Sequence, residues 1–145
     1  MQLRTEIEID APAQKVWAVL TDFARYPEWN PFITSVEGKL EVGARLDIRV
    51  CPPESSEMRL GPTLLVHDAP RELRWRGHLF VKGLLDGEHF FQVRDTEPGH
   101  SQFVHGEDFS GILLRFLGRK LTQVARGFVY MNQALKRRVE GLDSV

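Results

Sequence analysis

The amino-acid pattern predicts an α+β domain. A curved antiparallel sheet of about seven strands wraps around a long C-terminal helix, and two short helices follow the first strand. Three observations carry this. A period-two stretch at the N-terminus gives way at once to a helical period. Six further strand-like runs follow, each closed by turn residues. Residues 111–139 then carry an apolar stripe at steps of three and four.

Each element has a local cause. In residues 3–9, Leu3, Thr5, Ile7 and Ile9 alternate with Arg4, Glu6 and Glu8, as in a strand with one buried face. Asp10-Ala11-Pro12 stops that strand and starts a helix. Pro12 suits the first helical position, where no N–H partner is needed, and Asp10 sets a negative charge beside the positive helix end. Val16, Val19, Leu20 and Phe23 recur at helical spacing. Asp22 is the expected cap of the second short helix and Pro27 its expected end. Trp29-Asn30-Pro31-Phe32 is a turn-rich aromatic junction.

Residues 33–39, 44–50, 58–67, 73–80, 84–94 and 102–110 read as strands. Gly43, Pro52-Pro53, Ala69-Pro70-Arg71, Gly83 and Pro98-Gly99 supply the turns. Pro62 lies inside one run and marks an edge, a bulge or a break there. Consecutive strands with short loops make an antiparallel meander. Leu117, Leu121, Val124, Phe128, Met131, Leu135 and Val139 form the stripe of the last helix, with Ser110 as the expected N-cap. Gly118 and Gly127 weaken that helix, with a kink expected at Gly118.

Residues 1–145 are expected to form one domain, long enough to support its own core. The formal net charge of −1 argues against a nucleic-acid binder, which carries a basic excess. Cys51 is the sole cysteine, so neither an internal disulfide nor a cysteine-rich metal site can form. The N-terminus has no apolar signal-peptide core, and no run of eighteen apolar residues spans a membrane. A cytoplasmic location is the expectation.

Three segments carry a resemblance to a known family. The first is Ile9-Asp10-Ala11-Pro12-Ala13-Gln14-Lys15-Val16-Trp17, followed by Leu20-Thr21-Asp22-Phe23 and Tyr26-Pro27-Glu28-Trp29-Asn30-Pro31-Phe32. The second is Gly87-Glu88-His89-Phe90-Phe91. The third is Phe103-Val104-His105-Gly106-Glu107-Asp108-Phe109-Ser110-Gly111. In this order they resemble the START-related, helix-grip SRPBCC superfamily, in its polyketide cyclase/dehydrase-like subgroup. The resemblance covers nearly the whole chain. It implies a helix-grip fold with a deep cavity between sheet and helix. It also implies a ligand such as a lipid or polyketide, a cyclase or dehydratase activity, or a role as an assembly or regulatory partner. No catalytic motif is common to the superfamily, and one fold hosts many functions.

The hairpin over 84–110 holds the chemistry. Its odd positions, Gly87, His89, Phe91, Val93, Phe103, His105, Glu107 and Phe109, are the more apolar set and are placed on the inner face. If the loop centres on Pro98, His89 faces Glu107 and Phe91 faces His105. One residue earlier, His89 faces His105. The first register opposes Glu88 and Asp108 on the outer face, at an electrostatic cost.

His89, His105 and Glu107 have three open readings: mutual hydrogen bonding of buried polar groups, orientation of a ligand, or acid–base and metal chemistry. The spacing does not require three ligands to converge, so no metal site and no cofactor are expected. A Gly-x-Ser-x-Gly elbow and a phosphate-binding glycine loop are both lacking, and Cys51 has no basic cluster nearby in sequence.

The expected ligand wall comprises Trp29, Phe32, Trp75, Leu79, His89, Phe91, Phe103, His105, Glu107 and Phe109 with Leu117, Leu121, Val124, Phe128 and Met131. Gly77 leaves space on that wall, and Trp17 reads as packing. Arg115, Arg119, Lys120, Arg126, Lys136, Arg137 and Arg138 make the last helix basic, with no acid between Gly111 and Val139. That face reads as solvated. Peripheral contact with an anionic membrane or an acidic partner remains an open alternative, and oligomeric state is unreadable.

Overall fold

The protein is described by a computed structural model over residues 1–79 and 83–141; the side chain of Leu79 and all of Phe80 lie outside that description. The chain runs β1 (Gln2–Ile9), α1 (Ala13–Thr21), a 3-10 turn (Phe23–Arg25), α2 (Tyr26–Trp29) and β2 (Ile33–Glu37). Then come β3 (Asp47–Val50), β4 (Met58–Leu60), β5 (Thr63–Asp68), β6 (Glu72–Leu79), β7 (Leu85–Glu97) and β8 (His100–Ser110). A second 3-10 turn (Leu114–Phe116) leads into α3 (Gly118–Val139).

Eight strands are present among the described residues, one more than expected. The additional one arises because the run 58–67 breaks at Gly61-Pro62 into β4 and β5. Pro62 has no N–H for a ladder, so the break falls where a donor is missing. All pairings are antiparallel. A five-stranded sheet has the order β1-β8-β7-β6-β5, and a three-stranded sheet the order β2-β3-β4. Residues 43–46 stitch the two into one curved surface. Leu64 N–H donates to Ala44 O at 2.9 Å, Leu46 N–H to Pro62 O at 2.7 Å, and Gly43 N–H to Leu64 O at 2.8 Å. The expected strand over 44–50 is therefore shared between this seam and β3.

Several terminal signals act elsewhere than the sequence places them. Pro12 is the N-cap of α1, not its first residue. The carboxylate at that helix start is Asp95 of β7, whose Oδ1 accepts from Ala13 N–H at 2.8 Å. Asp10 pairs instead with His100, at 3.1 Å. Asp22 makes no capping bond, and Pro27 stands in the first turn of α2 rather than ending it. Ser110 closes β8 and does not cap α3. The cap is Leu117, and Gly118 opens the helix rather than kinking it.

The core joins α1, α2, the inner sheet face and the C-terminal half of α3. Its fully buried side chains include Tyr26, Phe91, Phe103, Phe128, Met131 and Leu135. Gly127 explains itself here: a Cβ at that position would meet the Phe32 ring at 2.3 Å, so only glycine lets the helix lie against Phe32. No helix among the described residues is long and apolar enough to cross a membrane.

Candidate functional site

The β7–β8 hairpin adopts the register centred on Pro98. His89 faces Glu107, Phe91 faces His105, and Glu88 faces Asp108. The like-charge cost of that last pair is met by Arg74 of β6. Its Nη1 lies 3.3 Å from Glu88 and 3.2 Å from Asp108, and its Nε lies 3.3 Å from Glu72. One guanidinium thus bridges three carboxylates on the outer face.

On the inner face a polar chain crosses the core. Thr5 Oγ1 donates to the His105 carbonyl at 2.8 Å, and Asn132 Nδ2 donates to Thr5 Oγ1 at 2.8 Å. His105 Nδ1 meets Asn132 Oδ1 at 2.9 Å, His89 Nε2 meets His105 Nε2 at 2.7 Å, and His89 Nδ1 meets Glu107 Oε1 at 3.0 Å. The direction of the chain follows from its start, because a carbonyl only accepts. Thr5 must donate to it, so Asn132 must donate to Thr5. Asn132 Oδ1 then accepts from His105 Nδ1–H.

Burial, followed by the neighbouring His89, pushes His105 well below the ordinary imidazole value, so it is neutral and its Nε2 is bare. His89 Nε2–H therefore donates to it. A proton must also lie between His89 Nδ1 and Glu107 Oε1, held as imidazolium–carboxylate or as imidazole–carboxylic acid. Trp75 stacks on the His89 ring with centroids 5.5 Å apart, and Phe128 stacks on His105 at 4.2 Å.

A cavity of about 310 Å³ opens beside the Glu107 end of this chain. That size is at the lower end of small-molecule sites. Phe32, Trp75, His89, Glu107 and Phe109 line it from the core side, and Leu117, Leu121 and Val124 from α3. Phe91, Phe103, His105, Phe128 and Met131 are fully buried and do not line it; Trp29 packs on Tyr26 with ring centroids 5.2 Å apart. Leu79 falls outside the described side chains.

Sequence reasoning did not single out Ile33, Ile48, Val50, Met58, Leu60 and Leu113 on the wall, nor His78, Asp86 and Lys120. For Ile48, Val50, Met58 and Leu60 the signal was their alternation in β3 and β4 of the shorter sheet. Asp86 is held in place by Gly83 N–H and His78, which keep its carboxyl below the usual carboxylate range. Gly77 and Gly87 face each other across β6 and β7 and both line the cavity.

At the rim, Lys120 Nζ donates to Ser55 Oγ, and Arg126 pairs with Glu54 at 3.4 Å. Both contacts tie α3 to the β3–β4 loop. Other basic residues of α3 also find acids outside it: Lys136 meets Glu140 and Arg138 meets Glu28, each at 2.7 Å. Among the described residues no three His, Cys, Asp or Glu side chains converge as metal ligands. In the His–His–Glu trio, both His89 nitrogens are occupied by the other two members.

The family model described as polyketide cyclase / dehydrase and lipid transport matches residues 1–140. No curated protein matches the chain. Among solved structures, the chain is similar to the Zhui aromatase/cyclase from Streptomyces sp. R1128, at 18% identity and a TM-score of 0.77, covering 97% of this chain and 93% of that one. A START superfamily protein from Mycobacterium smegmatis is 17% identical with a TM-score of 0.69, over 97% and 98% of the two chains. Norcoclaurine synthase from Thalictrum flavum, solved with a transition-state analogue, is 14% identical with a TM-score of 0.74, over 98% and 95%. At these identities the likeness establishes the helix-grip fold.

Proposed function

The chain belongs to the polyketide cyclase/dehydrase and lipid transport family, and from that premise we propose that it binds a hydrophobic or amphipathic small molecule in the cavity between sheet and α3. The observation that carries this is a space of about 310 Å³ whose wall surface is almost wholly apolar, in a core otherwise filled by aliphatic and aromatic side chains. A dry apolar void without an occupant forfeits dispersion contacts, and an apolar guest restores them. The rim supports entry from an apolar phase. Ile112 and Phe116 are 68% and 71% exposed, next to Arg115 and Arg119, which suits contact with an anionic membrane surface.

Native mass spectrometry of freshly purified protein tests the reading. A non-covalent adduct that disappears on denaturation is expected, and the cavity-filling change Leu121→Trp should lose it while remaining folded. An adduct retained in Leu121→Trp would place the ligand elsewhere. A clean apo mass, with no uptake of added naphthalene, would refute binding.

One observation favours a second reading, an enzyme of the cyclase or dehydratase kind. The His89–Glu107 pair holds a proton at the cavity wall, and His105 completes the chain behind it. Such a pair can give and take a proton at a bound carbonyl compound.

A further inference from the structure

The polar chain that begins at the His105 carbonyl ends at Glu107, and it ends on an oxygen. Oε1 is taken by His89 Nδ1, while Oε2 accepts no hydrogen bond among the described residues, and Glu107 lines the cavity. From this geometry we infer that the cavity selects an apolar ligand carrying a hydroxyl or phenol, whose O–H donates to Glu107 Oε2. The inference rests on the ligand-binding reading above and adds the chemical class of the ligand.

The proton count of the pair makes Oε2 the acceptor. If the shared proton sits on His89, Glu107 is a carboxylate and Oε2 accepts. If it sits on Oε1, Oε2 is a carbonyl-type oxygen and still accepts. A proton on Oε2 would leave two lone pairs facing each other across the 3.0 Å contact between Oε1 and His89 Nδ1. So with one proton shared between His89 and Glu107, Oε2 is the acceptor wherever in the contact that proton sits. The pair is neutral overall, which gives a cationic head group no advantage over a neutral hydroxyl.

The surroundings turn this acceptor into a selector. The cavity that Glu107 lines presents mostly apolar surface, with Phe109, Leu113, Leu117 and Leu121 among its walls. A ligand without a donor covers Oε2 and leaves it unpaired, which costs more than a missing methylene does. Gly87 sets the position of the carboxyl. A Cβ there would lie 2.1 Å from Oε2, so glycine alone lets the group lie flat over β7.

The test is a fluorescence titration with 1-naphthol, 1-methoxynaphthalene and naphthalene, which share one apolar body. The expected result is 1-naphthol binding at least about tenfold more tightly than 1-methoxynaphthalene, because the ether covers Oε2 and leaves it without a donor. Gly87→Ala displaces only the flexible end of Glu107 and should bring that ratio close to one. Glu107→Leu should do the same; if that variant does not fold, Gly87→Ala decides alone. Equal affinities in the unaltered protein overturn the inference and leave the cavity reading standing, since naphthalene still binds. A preference for 1-naphthol that persists in Gly87→Ala and Glu107→Leu also overturns it. Failure of all three compounds to bind refutes both readings together.

Discussion

His105 is neutral because its surroundings leave it no other state. It is fully buried, stacked on Phe128 and hydrogen-bonded to Asn132. Its folded value lies well below 6.5, so below that pH the unfolded chain binds a proton that the folded chain does not. Stability therefore rises with pH through this window. The contribution is complete above about pH 6.5 and is lost progressively as pH falls beneath it, with a slope of up to about 1.4 kcal/mol per pH unit. Urea midpoints of the parent and of His105→Gln between pH 7.5 and 5.0 check this, because the variant should lack that part of the slope. An equal slope in both would mean another group titrates. The carboxyls of Glu28, Asp47 and Asp68 are held low by their arginine partners and act only below their ordinary values of 4.5, 3.8 and 3.8. At this scale the sequence pointed to His89, His105 and Glu107 through strand alternation. It did not point to Thr5 or Asn132. Asn132 sits beside Met131 near the stripe of α3, and a polar residue there looks solvated until the helix is docked.

A strand register is a choice between near-equal pairings, and the β7–β8 hairpin had two. Both keep the odd positions inward, so alternation alone could not separate them from the loop composition. Arg74 separates them, and it comes from β6, a third strand. The register that opposes Glu88 and Asp108 is costly in the isolated hairpin and acceptable once a guanidinium lies between them. Arg74→Met should destabilise the fold by about 1–2 kcal/mol, more than an exposed pair gives, because its side chain is only 19% exposed. Adding Asp108→Asn should recover part of that loss. A double-mutant cycle read by chemical denaturation checks the coupling, and strict additivity would mean that the bridge contributes nothing. The helix caps teach a related lesson. Asp95 reaches the start of α1 from β7, a partner that no local reading of Asp10-Ala11-Pro12 can identify.

The molecule divides into a filled end and an open end. The C-terminal half of α3 packs Phe128, Met131, Leu135 and Val139 against α1, β1 and the sheet, all at 1% exposure or less. Its N-terminal half spans the cavity with Leu117, Leu121 and Val124, which are only partly buried. One stripe therefore serves two purposes, and substitutions along it should separate them. Phe128→Ala should cost about 3–5 kcal/mol of stability, the usual range for a buried phenylalanine. Leu121→Ala should cost clearly less and should weaken ligand retention instead. Thermal denaturation with a binding assay on both variants checks this. Equal losses of stability would mean that the cavity is closed by packing in solution.

Taken by itself, the sequence determined the kinds of element, their order, the inward face of each strand and the helix stripe. Periodicity carries that information, because a side chain's direction follows from its position in a repeat. The break at Pro62 was legible for a similar reason, since a missing N–H is a local fact. Only the tertiary structure decided which inward residues fill the core and which line a space. Phe91 and Phe109 share a face and a period, yet Phe91 is buried and Phe109 meets the cavity. The difference depends on how far the facing surfaces close. That distance is set by residues remote in sequence, such as Gly127 against Phe32. Direction is a property of one residue's place in its element, whereas volume belongs to every surface that bounds it.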